Sequence, residues 1–188
     1  GKRVYISNPE SKNISVIDTK TLTNIKTIKI GSGPLAIAIS PNDQSVYVAD
    51  WYEDSIFIVD TTSLSIRNKI KVGNSPSGLV ASPDGQFLYV ANRDENTVMI
   101  INLSENKIVD TIEVGIAPFG LAFNAKRNEL YSANVRSNNV SVINLLTKKI
   151  INIQVGDFPY AIAVDNIGER LFVTNQRSNT VSVINLSE

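Results

Sequence analysis

The chain repeats one sequence pattern about every 42 residues along its whole length. A hydrophobic segment that begins with Val4, Tyr5 and Ile6 returns in each later unit, at successive offsets of 42, 42, 42 and 41 residues. Its five copies are residues 4–8, 46–50, 88–92, 130–134 and 171–175. Self-similarity of this period is typical of proteins built from stacked supersecondary units, each of which buries its apolar surface against the next.

Two further landmarks keep the same period. A segment rich in Ile and Val that ends in Asp or Asn occupies residues 14–18, 56–60, 98–102, 140–144 and 181–185. A Gly-x-x-Pro turn begins at Gly31, Gly73, Gly115 and Gly156. The one residue that the fourth unit lacks falls between Asn144 and Gly156. We expect this deletion to shorten the connection into the strand before the last Gly-x-x-Pro turn.

Each unit contains four short segments with strand character. In the third unit they are 77–82, 87–92, 98–102 and 107–114, and turn residues such as Pro83, Asp84 and Gly85 separate them. A four-stranded unit of this length is a propeller blade, which hides both apolar faces only by packing radially against its neighbours. We predict an all-β fold: a β-propeller of four-stranded antiparallel blades in a single domain, 1–188. Its predicted repeat units are 1–33, 34–75, 76–117, 118–158 and 159–188.

The repeated segments resemble the YVTN-type β-propeller repeat, a WD40-like module named for a Tyr-Val-Thr-Asn strand. The segments 172–175, 47–50 and 89–92 match that strand, while 179–185 and 82–85 are similar to the other two signatures of the repeat. The resemblance implies a relation to archaeal and bacterial surface-layer and other extracytoplasmic proteins, whose propellers commonly have seven blades. It therefore implies an extracellular or cell-surface location, with the periplasm as the alternative.

The predicted strand count does not close a ring neatly. In propellers of this type the Pro-initiated segment is the innermost strand, so the chain supplies three strands, three full blades and three more strands, about four and a half blades. We favour a segment of a larger propeller. A second copy could instead supply the missing blades through the unclosed edges. A four-bladed ring, completed by 160–165, would leave 171–175 and 181–185 outside it.

Composition excludes several kinds of chemistry. The chain has no His and no Cys, which removes disulfides, thiolate nucleophiles, imidazole bases and the usual zinc, copper and haem ligands. Its 18 basic and 18 acidic residues balance, so we predict no nucleic-acid partner, and no apolar run is long enough to predict membrane insertion. We predict no cofactor, no metal and no catalytic residue. A propeller enzyme of the lactonase or quinone-dependent type is the alternative hypothesis.

Two sets of loops are expected at one end of the blades, where propellers commonly bind ligands. One set follows the Tyr-x-x-Asn strand and the other is formed by the Gly-x-x-Pro turns. Trp, Tyr and Arg dominate binding hot spots, so the predicted ligand face consists of Trp51, Tyr52, Arg93, Arg136, Phe158, Tyr160 and Arg177. The alternative interpretation packs Phe119 and Tyr160 between blades and leaves the arginines in solvent. The expected ligand is a protein, a peptide or a glycan.

Other polar residues have structural interpretations. The acidic pairs at 53–54 and 94–95 lack the spacing of a calcium loop, and Asp54 and Asn96 share one turn position. The residues that end the third strand of each unit are predicted to cap backbone amides: Asp18, Asp60, Asn102, Asn144 and Asn185. A similar task is predicted for Asn8, Asp50, Asn92, Asn134 and Asn175. The N-glycosylation sequons are at Asn13, Asn102, Asn139 and Asn185.

The sequence therefore favours a non-catalytic extracytoplasmic or cell-surface β-propeller that acts as a binding or structural scaffold. An excised or engineered propeller fragment that assembles as an oligomer is a further alternative, because of the half-blade count.

Overall fold

A computed structural model of the chain describes residues 1–186, which form strands and turns and no helix. Its strands are β1 Arg3–Asn8, β2 Asn13–Asp18, β3 Thr23–Lys29, β4 Pro34–Ile39, β5 Ser45–Asp50, β6 Ser55–Asp60, β7 Ser65–Lys71, β8 Pro76–Ala81, β9 Phe87–Asn92, β10 Thr97–Asn102, β11 Lys107–Glu113, β12 Pro118–Asn124, β13 Glu129–Asn134, β14 Asn139–Asn144, β15 Ile150–Gln154, β16 Pro159–Val164, β17 Arg170–Asn175 and β18 Thr180–Asn185. The predicted all-β class is confirmed.

Within the described residues these strands form five antiparallel sheets, numbered here along the chain. Sheet 1 (β1–β3) and sheet 5 (β16–β18) have three strands, whereas sheet 2 (β4–β7), sheet 3 (β8–β11) and sheet 4 (β12–β15) have four. β16 pairs with β17, and Pro159 lies opposite Asn175. The four-bladed alternative, in which this strand completes sheet 1, is therefore wrong.

In sheets 1 to 4, the turn before the last strand is capped by the Asp or Asn side chain that precedes it. The Asp60 carboxylate accepts hydrogen bonds from the backbone N–H groups of Thr62 and Ser63, at 3.0 and 2.7 Å. Asp18, Asn102 and Asn144 accept the corresponding bonds in their own sheets. A side-chain oxygen in this position satisfies two amides that the ladder cannot reach. The predicted caps are confirmed at these four positions.

The second set of repeated Asp and Asn residues mostly has a different task from the predicted one. Asp50 alone caps the following turn: its carboxylate accepts the N–H of Glu53 at 2.9 Å. Asn134 instead donates from its side-chain amide to Asn139 Oδ1 and Ser141 Oγ, at 2.8 and 2.9 Å, and so ties β13 to β14. Asn8, Asn92 and Asn175 also donate to side chains of the next strand. The capping prediction is wrong for these four, because their side-chain amides donate to the next strand instead of accepting backbone N–H groups of the turn.

The sheets pack face to face in chain order, and their first strands (β4, β8, β12 and β16) lie side by side. Apolar clusters fill the spaces between consecutive sheets. Between sheets 4 and 5, for example, the buried side chains of Val140 and Val142 pack in one cluster with Leu171 and Val173. Each sheet thus covers the apolar face of its neighbour, which is how a propeller-type arrangement buries surfaces that a single sheet cannot.

The missing residue of the fourth unit removes a β-bulge. In sheets 2 and 3 the pairing of the third and fourth strands shifts register, as it does between Ile100 and Ile101, and the equivalent pairing of β2 with β3 in sheet 1 shifts in the same way. In sheet 4 the pairing runs without a shift from Asn139 opposite Gln154 to Ile143 opposite Ile150. A bulge is one extra residue on one strand, so its deletion straightens the ladder locally. The deletion therefore shortens β15 itself.

Candidate functional site

The two predicted sets of loops do lie side by side at one end of the sheets. The N–H of Trp51, in the loop after β5, donates to the carbonyl oxygen of Gly33 at 2.9 Å. The same bond joins Val135 to Ala117, also at 2.9 Å. This surface, formed by the loops after β1, β5, β9, β13 and β17 together with the Gly-x-x-Pro turns, is called the loop face below.

The same side-chain hydrogen bond recurs in three sheets and connects neighbouring parts of the loop face. Asp54, Asn96 and Asn138 occupy one position of the repeat, and each has a positive φ. Asn96 Oδ1 accepts the backbone N–H of Ala117 at 2.9 Å, and Asp54 and Asn138 accept the corresponding N–H groups at 3.0 Å. Each bond links a loop to the turn that leads into the next sheet. The structural interpretation of this shared position is confirmed.

The predicted aromatic residues at 51 and 52 line a pocket of about 280 Å³ on the loop face. Trp51, Tyr52 and Phe119 form its aromatic walls, and Pro9, Gly33 and Leu35 complete the lining. Tyr52 is 73% exposed. Its ring lies against Gly33, where a Cβ atom would be 2.5 Å from the Tyr52 Cδ2 atom. The pocket therefore depends on a residue without a side chain at position 33.

The other predicted ligand residues lie at the margin of this pocket or further round the loop face. The Arg93 guanidinium lies 5.4 Å from the Trp51 ring centroid, a cation–π distance. Tyr160 packs edge-to-face on Phe119, with ring centroids 4.9 Å apart, as the alternative interpretation anticipated. Arg177 lies 5.2 Å from the Phe158 ring, and Arg136 is exposed. The structure thus brings together Trp51, Tyr52, Arg93 and, through Phe119, Tyr160, but it places Phe158 with Arg177 as a separate pair.

Charged groups beside the pocket are already paired. The hydrogen bond from Lys69, at 2.5 Å, lowers the pKa of Glu53. For Asp54, burial acts to raise the pKa, but the Ser75 N–H and Lys71 outweigh it and hold the pKa below its usual value. Both carboxylates are therefore ionised at neutral pH. Within residues 1–186, no group of three or more acidic side chains is arranged to hold a metal ion.

The sequon residues differ in their surroundings. Asn139 is buried and its Oδ1 accepts bonds from Asn134 and Ser137. Asn102 caps the turn after β10, and Asn13 accepts from Asn8 and donates to the carbonyl of Ser11. Asn185 is exposed, but the serine of its sequon lies outside the described residues. Glycosylation at these asparagines stays a prediction.

A second cleft, not predicted from the sequence, lies at the opposite end of the sheets between sheets 3 and 4. Its volume is about 520 Å³, and Tyr89 and Phe123 stack in its wall with ring centroids 5.6 Å apart. Burial raises the pKa of Tyr89 to about 12, so its hydroxyl stays protonated at neutral pH. One sequence signal was present: Phe123 stands where the preceding unit has Ala81.

Five consecutive antiparallel sheets with adjoining first strands define a β-propeller-type protein. The chain belongs to the choice-of-anchor I domain family, whose model matches residues 3–188. Membership of this family places it among cell-surface or secreted proteins. No helix in the described part of the chain is long and apolar enough to cross a membrane.

Solved structures with the same fold include a protein of unknown function from Desulfotomaculum acetoxidans DSM 771, with a TM-score of 0.81 and 16% identity. The superposition covers 97% of this chain and 65% of that one. Hydrazine synthase of Kuenenia stuttgartiensis also matches, with a TM-score of 0.60 and 16% identity over 100% of this chain and 93% of that one. At this identity the likeness concerns the fold alone. No curated protein matches the sequence.

Proposed function

We propose that this chain is a non-catalytic binding scaffold of a cell-surface or secreted protein. It carries YVTN-type repeats, works outside the cytoplasm, and captures a protein or peptide segment on the loop face. One observation carries the proposal: the exposed Tyr52 ring and the half-buried Trp51 ring form a preformed pocket together with Phe119. Trp and Tyr supply large contact areas at a small cost in conformational entropy, which is why they anchor binding surfaces.

The size and chemistry of the pocket favour one bulky side chain. A volume of about 280 Å³ lies at the lower limit of small-molecule sites. The lining residues are uncharged, so an aromatic, aliphatic or proline side chain fits it best. Arg93 stands beside the pocket on the Trp51 ring, and one of its N–H groups already pairs with Asp94 at 2.7 Å. Its other guanidinium N–H groups can pair with a carboxylate next to the anchor. The proposed ligand is therefore a peptide segment with an apolar anchor and a neighbouring acidic residue.

The test is selection of a displayed random peptide library on the 188-residue chain, with a glycan array probed in parallel. Trp51→Ala removes the pocket wall, and Leu146→Ala is the matched control, since Leu146 is an exposed apolar residue in the turn after β14 at the opposite end. We expect selected peptides to bind Trp51→Ala at least about tenfold more weakly and Leu146→Ala unchanged. Binding that survives Trp51→Ala, or selective binding of glycans alone, would overturn the peptide proposal.

A further inference from the structure

On two sheet faces, apolar side chains are exposed to solvent, although the equivalent side chains of the other sheets are buried. In sheet 1, Val4 and Ile6 are 47% and 44% exposed, while the equivalent Leu171 and Val173 of sheet 5 are 0% exposed. The same holds for the other copies of these positions, Val46, Val48, Leu88, Val90 and Leu130. The sequence period assigns these residues to one position, so the difference lies in what covers them.

Sheet 5, the last sheet of the chain, also has exposed apolar side chains, on its opposite face. In sheet 5, Val181 and Val183 are 57% and 58% exposed, although the equivalent Val140 and Val142 of sheet 4 are at most 7% exposed. The surface of sheet 1 that contains Val4 and Ile6 is called the head face below, and the surface of sheet 5 that contains Val181 and Val183 the tail face. Apolar side chains that stand next to one another in solvent mark an interaction surface.

The junction between sheets 4 and 5 shows how the equivalents of these two faces pack against each other inside the chain. There Val140 and Val142 pack against Leu171 and Val173 in one buried cluster. Val140 and Val142 are the repeat equivalents of the tail-face valines, and Leu171 and Val173 are those of Val4 and Ile6. The tail face and the head face are therefore the two halves of an interface that already exists inside the chain.

We propose that the head face of one copy of this chain docks on the tail face of a second copy, and that the contact reproduces the packing between sheets 4 and 5. The formal net charge of the chain is zero, so two copies do not repel each other at long range. The two faces differ, which makes the contact heterologous: one junction leaves a head face and a tail face free, and a ring forms only if further junctions close it.

The first test is the oligomeric state of the 188-residue chain, measured by sedimentation velocity from about 1 to about 100 μM. The wild-type chain is expected to associate with rising concentration. Val183→Lys places a charge in the tail face and should weaken association at least about tenfold, and Val4→Lys should do the same in the head face. Ile151→Lys is the matched control, because Ile151 is 50% exposed on the outer strand β15 and belongs to neither face.

A mixture of the two variants tests the head-to-tail geometry. Val4→Lys keeps an intact tail face and Val183→Lys an intact head face, so together they should form a heterodimer that neither forms alone. Circular dichroism melts of each variant separate lost association from lost folding; if Val183→Lys unfolds, Val181→Lys replaces it. A wild-type chain that stays monomeric at the highest concentration, or an equal loss in Ile151→Lys, would overturn the proposal. Variants that each lose association but do not restore it when mixed would also overturn it.

A disulfide provides an independent measurement, since the chain has no cysteine of its own. One copy with Ile6→Cys and another with Val183→Cys should cross-link under mild oxidation, because the equivalent Val173 and Val142 belong to the same buried cluster. Ile6→Cys mixed with Ile151→Cys is the control pair. Equal cross-linking in both mixtures would contradict the proposed contact.

Discussion

The carbonyl oxygen of Phe119 occupies the space in which a side chain on Gly78 would begin. Gly78 lies in β8 and Phe119 in β12, the adjoining first strands of sheets 3 and 4. Gly120 approaches the carbonyl oxygen of Tyr160 in the same way one sheet further on. β8 and β12, and likewise β12 and β16, thus meet backbone to backbone, and their spacing depends on the absence of a Cβ atom at Gly78 and Gly120.

Gly78→Ala is therefore expected to destabilise the fold by about 1–3 kcal/mol, because β8 or β12 must move to admit the methyl group. The free energy of unfolding from urea denaturation measures the effect. Ala36→Gly is the control: it makes the reverse change at the equivalent position of β4 and should cost less than about 1 kcal/mol. A Gly78→Ala chain as stable as the wild type would show that the strands are not in tight contact.

Asn96→Ala should cost about 1–2 kcal/mol of unfolding free energy. It removes the acceptor for the Ala117 N–H and puts Ala at a φ of +58°, which favours Asn or Gly. Asn96→Asp keeps an acceptor oxygen there, as Asp54 does naturally in sheet 2, and should stay close to the wild type. The two variants are compared by thermal and urea unfolding. Equal losses would mean that the hydrogen bond contributes nothing.

Stability should fall in acid through the turn-capping carboxylates. Backbone hydrogen bonds, chiefly from Thr21 to Asp18 and from Ser63 to Asp60, hold the pKa of each carboxyl below its ordinary value of 3.8. A folded-state pKa below the unfolded one means that the stabilisation is complete above the unfolded pKa and is lost as the pH falls through the folded one. Protonation ends both caps, so the melting temperature should decrease below about pH 4.

The double variant Asp18→Asn with Asp60→Asn should show a shallower loss of melting temperature in acid than the wild type. Asn already caps this turn at Asn102 and Asn144 and does not titrate. Part of the dependence should remain, because the pKa values of Asp84, Asp110 and Asp165 are also lowered. Melting curves from neutral pH to about pH 3 make the comparison. Superimposable profiles would exclude these two carboxylates as the cause.

Gly33→Ala should alter the candidate pocket without unfolding the chain. The new methyl group would overlap the Tyr52 ring, which is mostly exposed and can rotate away. Trp51 is the only tryptophan and lines the same pocket, so its fluorescence reports the change directly. We expect a shifted emission spectrum and a melting temperature within a few degrees of the wild type, at a cost of about 1 kcal/mol or less. An unchanged spectrum would indicate that Tyr52 does not rest on Gly33.

The strands could be located from the sequence because each turn recurs four or five times at the same position of the repeat. The predicted segments 77–82, 87–92, 98–102 and 107–114 differ from β8–β11 by no more than one residue at either end. The sheet count also followed from the period, and the three-stranded ends followed from the family resemblance, in which the Pro-initiated segment is the innermost strand. The hydrogen bonds of the repeated Asn residues do not follow from their position in the repeat. Asn134 and Asp50 hold the same repeat position, but Asp50 accepts backbone N–H groups with both of its carboxylate oxygens, whereas the amide nitrogen of Asn134 donates to Asn139 and Ser141.

Of the residues that line the candidate pocket, the sequence singled out Trp51 and Tyr52 as ligand residues, but it did not predict their contacts. Trp51 and Tyr52 stood out because they interrupt a polar loop. Phe119 lines the same pocket, although it belongs to sheet 4, two sheets further along the chain. The sequence period does not contain the angle between neighbouring sheets, so it could not predict this contact. The cleft beside Tyr89 was missed for a related reason. Phe123 changes the lining of the space between sheets 3 and 4 only. A pattern common to all repeat units does not show a difference that is confined to one of them.

The deletion that removed the bulge from sheet 4 lies in β15, the outermost strand. β12, which makes the backbone contact with Gly78, is at the other edge of the same sheet. Insertions and deletions should accordingly be tolerated at the rim and rejected near the axis. We therefore expect homologous chains to vary in length at the periphery, and a foreign segment grafted there to leave the central spacing intact.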